Sequence, residues 1–200
     1  MKRWFVFTAI LIALLCAGLW AQESEQKEME IPTAPPQPLN DEWSNWLVGE
    51  WKGISQSNMG KSEEWMKIEK GLDGQFLIMH YKSKVIEANP EAMKKMQEQM
   101  KMSAEDMEKM MQSEYRGMGL STINPMTGEM VGYWFDNYRD VSKGTGKMEG
   151  NKSTAKWKSA FMEMERIVEK IDENKMKVTY SGKDAMGTEF SGTSELSRVK

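Results

Sequence analysis

The sequence predicts a mainly β domain, a single antiparallel β-barrel interrupted once by a methionine-rich helix or helical hairpin. Three observations carry this reading. Short alternating stretches separated by turn signals recur from Trp46 to the last residue. Residues 90–113 break that alternation with a helix start and methionines at helical spacing. Gly49-x-Trp51 on the first strand places a glycine and an indole on one face, the pairing that plugs one end of a small barrel.

The first segment stands apart from that domain. Lys2 and Arg3 precede an apolar run from Trp4 to Trp20, and Ala21 offers a small residue for cleavage, so residues 1–21 read as a secretory signal peptide. Contact with a membrane is then expected only through an uncleaved signal or a lipid anchor on Cys16, and Leu15 just before that cysteine disfavours the anchor. The chain is accordingly expected to be exported, periplasmic or secreted. Residues 22–40 hold Pro32, Pro35, Pro36 and Pro38 among charges and read as a disordered linker. The folded domain is expected over 41–200, entered through a helical turn near Asp41-Glu42-Trp43.

Trp51 to Ser57 forms the first strand and turns at Asn58-Met59-Gly60; Glu64 to Lys70 forms the second. Asp73-Gly74 is a hairpin pair leading into Gln75 to Ile86, which places Phe76, Ile78 and His80 on one face and Leu77, Met79 and Tyr81 on the other. Asn89-Pro90-Glu91 then starts a helix with a capping residue, a proline at the first position and an acid at the positive end of the dipole. Ser103 with Asp106 starts a second turn of helix. Strands resume at Tyr115 to Ile123, turn through Asn124 to Gly128, and continue over Glu129 to Asp136. Gly144, Gly146 and Gly150 punctuate the next hairpin. Strands around Trp157, over Phe161 to Ile171, over Lys175 to Ser181 and over Glu189 to Val199 complete a meander, and closure removes its edges.

Composition excludes several chemistries. Cys16 is the single cysteine and lies in the signal, so the mature domain has no disulfide, thiolate nucleophile or cysteine metal site. Loss of Lys2 and Arg3 with that segment takes the net charge from −3 to −5, without the basic stripe that nucleic acid requires. No G-x-S-x-G elbow occurs, and His80, the single histidine, reads as a wall residue. Glu63-Glu64 and Glu163/Glu165 read as solvated faces. No catalytic residue and no cofactor are expected. Twenty methionines are the unusual feature, seven of them between Met93 and Met111. They predict an adaptable lid over a barrel mouth, with a protein-partner surface and Cu(I) binding by Met93, Met96, Met100 and Met102 as alternatives.

Gly49-x-Trp51 with Arg198 on the last strand resembles the calycin superfamily of lipocalin-like barrels. The resemblance implies that Arg198 lies across Trp51 at the closed end, guanidinium on indole. Trp46-Leu47-Val48-Gly49-Glu50-Trp51, Asn124-Pro125-Met126-Thr127-Gly128 before Tyr133-Trp134-Phe135-Asp136, and the closing hairpin resemble the secreted bacterial domain-of-unknown-function family 1579. This covers residues 41–200 apart from the helical insertion. In the related nitrobindins a late histidine holds haem, and no histidine follows His80 here. The reading is therefore a non-catalytic binder of a small apolar molecule. Its barrel wall would comprise Trp65, Met79, Tyr81, Tyr133 and Phe135, and its barrel-closing residues would be Gly49, Trp51 and Arg198.

Overall fold

The computed structural model describes residues 34–200; the signal reading of 1–21 and most of the linker reading of 22–40 lie outside the described residues. Ten strands alternate with short turns: β1 (Gly49–Ser57), β2 (Gly60–Gly71), β3 (Phe76–Ala88), β4 (Tyr115–Ile123), β5 (Met130–Asp136), β6 (Val141–Glu149), β7 (Lys152–Lys158), β8 (Met162–Asp172), β9 (Lys175–Asp184) and β10 (Glu189–Arg198). Every neighbour in sequence is an antiparallel neighbour in space, and β1 pairs with β10 to close the ring. Closure leaves no unpaired sheet edge.

Side-chain parity follows from two buried anchors. Trp51 is fully buried and sits opposite Met66, which is opposite Tyr81, so these three rows point inward. Their neighbours Lys52, Trp65 and Lys82 form the matching outward row. The compact core occupies the end where β1 begins. There Trp46, Trp51, Met66, Ile68, Leu77, Val168, Met176, Val178 and Leu196 pack together.

Helix α1 (Glu42–Leu47) seals this end, its first turn capped by the Asp41 carboxylate, which accepts from Ser44 N–H at 2.8 Å. The chain is already fixed from Pro36, ahead of Asp41. Gln75 donates to the Pro36 carbonyl, Leu39 N–H to the Gly74 carbonyl, and Lys70 to the Leu39 carbonyl.

Trp51, Gly49 and Arg198 form the plug. The Arg198 guanidinium lies 4.1 Å from the Trp51 ring centroid and donates to the carbonyls of Val48, Trp46 and Glu173. Gly49 has φ +138°, and a Cβ there would stand 2.4 Å from Arg198 Nη1. Only glycine meets both demands. Trp51 Nε1–H donates to the Leu47 carbonyl at 2.9 Å, so the buried indole has its partner.

The opposite end carries the insertion. Helices α2 (Pro90–Met100) and α3 (Ala104–Gln112) lie between the end of β3 and the start of β4. The Asn89 side chain accepts from the N–H groups of Glu91 and Ala92, and Ser103 Oγ accepts from Asp106 N–H. Lys101 separates the helices in a left-handed conformation, φ 52°. Among the described residues no helix is long and apolar enough to cross a membrane. One turn is placed differently from the sequence reading. Gly144 and Gly146 lie within β6 and point inward, and only Gly150 turns the chain, because an indole from β7 occupies the space a side chain at Gly144 would need.

Candidate functional site

Between the plug and the helical end, the inward rows change character. Five inward positions on three adjacent strands carry no side chain: Gly117 and Gly119 on β4, Gly132 on β5, and Gly144 and Gly146 on β6. Two indoles use that room. Trp134 covers Gly117 and Gly119, with ring atoms 2.1 and 3.0 Å from where their Cβ atoms would stand. Trp157 covers Gly132 and Gly144, and three of its ring atoms are 2.6–2.8 Å from a Cβ at Gly144. The atoms contacted belong to the ring systems themselves, so each indole lies against the glycine wall. Trp134 is held there by its Nε1–H, which donates to Tyr115 Oη at 2.8 Å, and Tyr115 donates onward to Asp136 at 3.2 Å. Tyr81 meets Tyr115 and Trp134 edge-on, with centroids 6.0 and 5.9 Å apart.

Charge enters this aromatic chamber from two sides. Glu64 points inward from β2 and accepts from the Tyr81 hydroxyl at 2.7 Å. Arg166 points inward from β8, between Ala155 and Tyr180. In the ring of ten, β8 lies five strands from β3, directly across the lumen from Tyr81. Burial pushes the Arg166 guanidinium below its ordinary value while Glu64 and Tyr81 oppose that shift, and a guanidinium remains charged regardless. Tyr180 completes the belt, its hydroxyl 3.2 Å from Ser55 Oγ.

Burial, reinforced by the Glu64 carboxylate, drives the Tyr81 phenol well above its usual range, and burial with Asp136 and Asp140 does the same for Tyr115. The folded chain thus holds these two protons more tightly than the unfolded chain. Their contribution to stability is complete below the ordinary phenol value of about 10 and is lost as pH rises from there toward the raised values. Urea unfolding at rising alkaline pH is expected to show this decline. Y81F/Y115F should flatten it, and an unchanged slope would mean that the phenols are not shielded as described.

A cavity of about 240 Å³ lies between the helices and the barrel mouth. Met93 and Met96 of α2, Met110 and Met111 of α3, Met59 and Tyr138 line it, with the inward residues Ser62, Ser83 and Tyr115. A wider opening of about 1190 Å³ touches Trp157, Met164, Gly182 and Phe190, with Lys143, Lys156, Lys158 and Lys183 around them. Among the described residues no group of three or more histidine, aspartate or glutamate side chains is placed to hold a metal.

The wall expected from sequence is brought together only in part. Met79 and Tyr81 point inward. Trp65 points outward, where it donates to Glu50 at 2.6 Å and lies under Lys82. Tyr133 and Phe135 also point outward, 44% and 37% exposed, because Trp134 between them takes the glycine-floored interior. Glu64, read as part of a solvated pair, is inside. Of the methionines offered for Cu(I), Met93 and Met96 face the mouth cavity. Met100 is 49% exposed, and Met102 lies outside the lining. His80 sits on the outer face, 3.9 Å from Glu69.

Arg166, Glu64, Tyr115, Trp134, Trp157 and Tyr180 are the interior residues that sequence reasoning missed. A signal for two of them exists. Arg166 interrupts the apolar row Met162, Met164, Val168, and Trp134 shares parity with Gly132.

No protein-family model and no curated protein matches the sequence. Solved structures do. Rv2717c from M. tuberculosis is similar at a TM-score of 0.54 and 10% identity, covering 78% of this chain and 94% of that one. The S-type phycobiliprotein lyase CPES from Guillardia theta is similar at 0.51 and 10%, covering 80% and 92%. The chain has a closed, ten-stranded antiparallel barrel of lipocalin-like fold.

Proposed function

We propose that the chain is an exported, non-catalytic binding protein that holds one small apolar molecule in the aromatic chamber, with α2 and α3 as its lid. One observation carries this. Residues aimed into the lumen at the plug are fully buried, whereas Tyr81, Trp134, Trp157, Met164 and Tyr180, aimed into the same lumen nearer the mouth, keep accessible surface. Inward side chains that remain accessible line space, and space walled by aromatic rings is suited to an apolar guest. The methionine faces of the helices are adaptable cover for a mouth that must open. Membership of domain-of-unknown-function family 1579 belongs to the same proposal, supported by the stretches Trp46 to Trp51, Asn124 to Gly128 before Tyr133 to Asp136, and the closing hairpin. The non-catalytic reading is supported by the outward position of His80, which pairs with Lys67 and lies beside Glu69.

The methionine lining of the mouth supports a second reading, soft-metal handling by Met59, Met93, Met96, Met110 and Met111, whose thioethers suit Cu(I). Native mass spectrometry of the chain purified from its own host, with and without added Cu(I), separates the two. A co-purifying organic mass is expected on the binding reading. A copper adduct on an otherwise bare chain would transfer the function to the helices, and a bare chain in both samples would count against each.

A further inference from the structure

We propose that the chamber takes a flat, conjugated molecule bearing a single carboxylate, with the carboxylate on Arg166 and the ring system against Trp134 and Trp157. This rests on the binding reading above and specifies the class of its ligand.

The first ground is an unmet charge. A guanidinium offers five N–H donors, yet among the described residues Arg166 forms no ion pair and no side-chain hydrogen bond. Nor are its nitrogens walled off. Among the described residues Trp157 Nε1 is the one fully occluded side-chain nitrogen or oxygen without a partner, so the Arg166 nitrogens keep some accessible surface. Glu64 gives the guanidinium a favourable charge interaction but no bond, so its donors stay unfilled, and an oxyanion that engages the planar fork with two bonds would fill them.

The second ground is how the other charges are committed. The Tyr81 hydroxyl is engaged by Glu64. Asp136 accepts from Tyr115 and from the N–H groups of Tyr138 and Asp140. Arg166 is thus the chamber cation left to a guest. Glu64, across the lumen, repels a second negative charge, which selects one carboxylate over two or over a phosphate dianion.

The third ground is shape. Two inward indoles lie against glycine positions of the wall, and Trp134 is fixed by its bond to Tyr115. Fixed rings favour a stacked planar guest.

Calorimetric titration with 2-naphthoate and 2-naphthalenemethanol tests this, since the two share a ring system and differ in charge. The naphthoate should bind the wild-type chain at least about tenfold more tightly. R166M should erase that preference, R166K should reduce it, and E64Q should strengthen naphthoate binding. Equal affinities in the wild-type chain, or a preference that survives R166M, would overturn the proposal. Should R166M fail to fold, the wild-type ratio and the R166K and E64Q shifts still decide. The uncharged probe N-phenyl-1-naphthylamine, titrated in parallel, locates a failure. Its binding without any naphthoate preference overturns the carboxylate alone, and no binding of any probe overturns the barrel reading with it.

Discussion

Trp51→Ala is expected to lower the stability of the domain by about 3–5 kcal/mol, the range for removing a fully buried large aromatic side chain. The indole is wholly buried and edge-packed on Trp46 at 5.3 Å, and its N–H donates to Leu47. Its loss would leave an indole-sized void beneath the Arg198 guanidinium. That guanidinium ties the last strand to the end of α1 and the residue that follows it, through the Trp46 and Val48 carbonyls. Since a domain of this kind is stabilised by roughly 5–15 kcal/mol in all, the variant should unfold at far lower urea. R198M should cost less, and the double variant less than the sum, because the two side chains share one contact. A W51A loss below about 1 kcal/mol would mean that the plug does not hold the closed end.

Gly144→Val is expected to damage binding more than folding. Its backbone lies outside the left-handed region, so the substitution is felt through the side chain alone, which would meet the middle of the Trp157 ring. Backed by the wall, the indole can retreat only into the lumen. Overpacking of this kind costs about 1–3 kcal/mol in stability. The displaced ring would take the space of the guest, and N-phenyl-1-naphthylamine should bind the variant about tenfold or more weakly, equivalent to about 1.4 kcal/mol. Thr145→Val, outward on the same strand, should leave the probe unaffected. Unaltered binding by G144V would place the probe elsewhere.

The two variants also mark what was legible in the chain. The plug was readable because its parts are local and periodic: a glycine two residues from a tryptophan, on a strand that opens a meander. The helix pair was equally readable, since Asn89-Pro90 and Ser103 with Asp106 are capping signals with a local mechanism. The chamber was not readable in the same way. Tyr133, Trp134 and Phe135 are three consecutive aromatic residues, so alternation of apolar residues alone does not say which one points inward; pairing of Trp134 with Gly119 and Ser142 decides it, and register is a property of paired strands. Trp65 likewise sits beside Met66, and only the pairing of Met66 with Trp51 turns Trp65 to the outside. Arg166 and Glu64 face one chamber from strands 102 residues apart in the sequence. No local pattern joins them.

Binding in the chamber requires open space inside the barrel. The most direct test is equilibrium titration of the wild-type chain with N-phenyl-1-naphthylamine, followed by energy transfer from tryptophan to the probe. One saturable site with strong transfer is predicted, since Trp134 and Trp157 both face the chamber. Absence of saturable binding, or saturation without transfer, would contradict it.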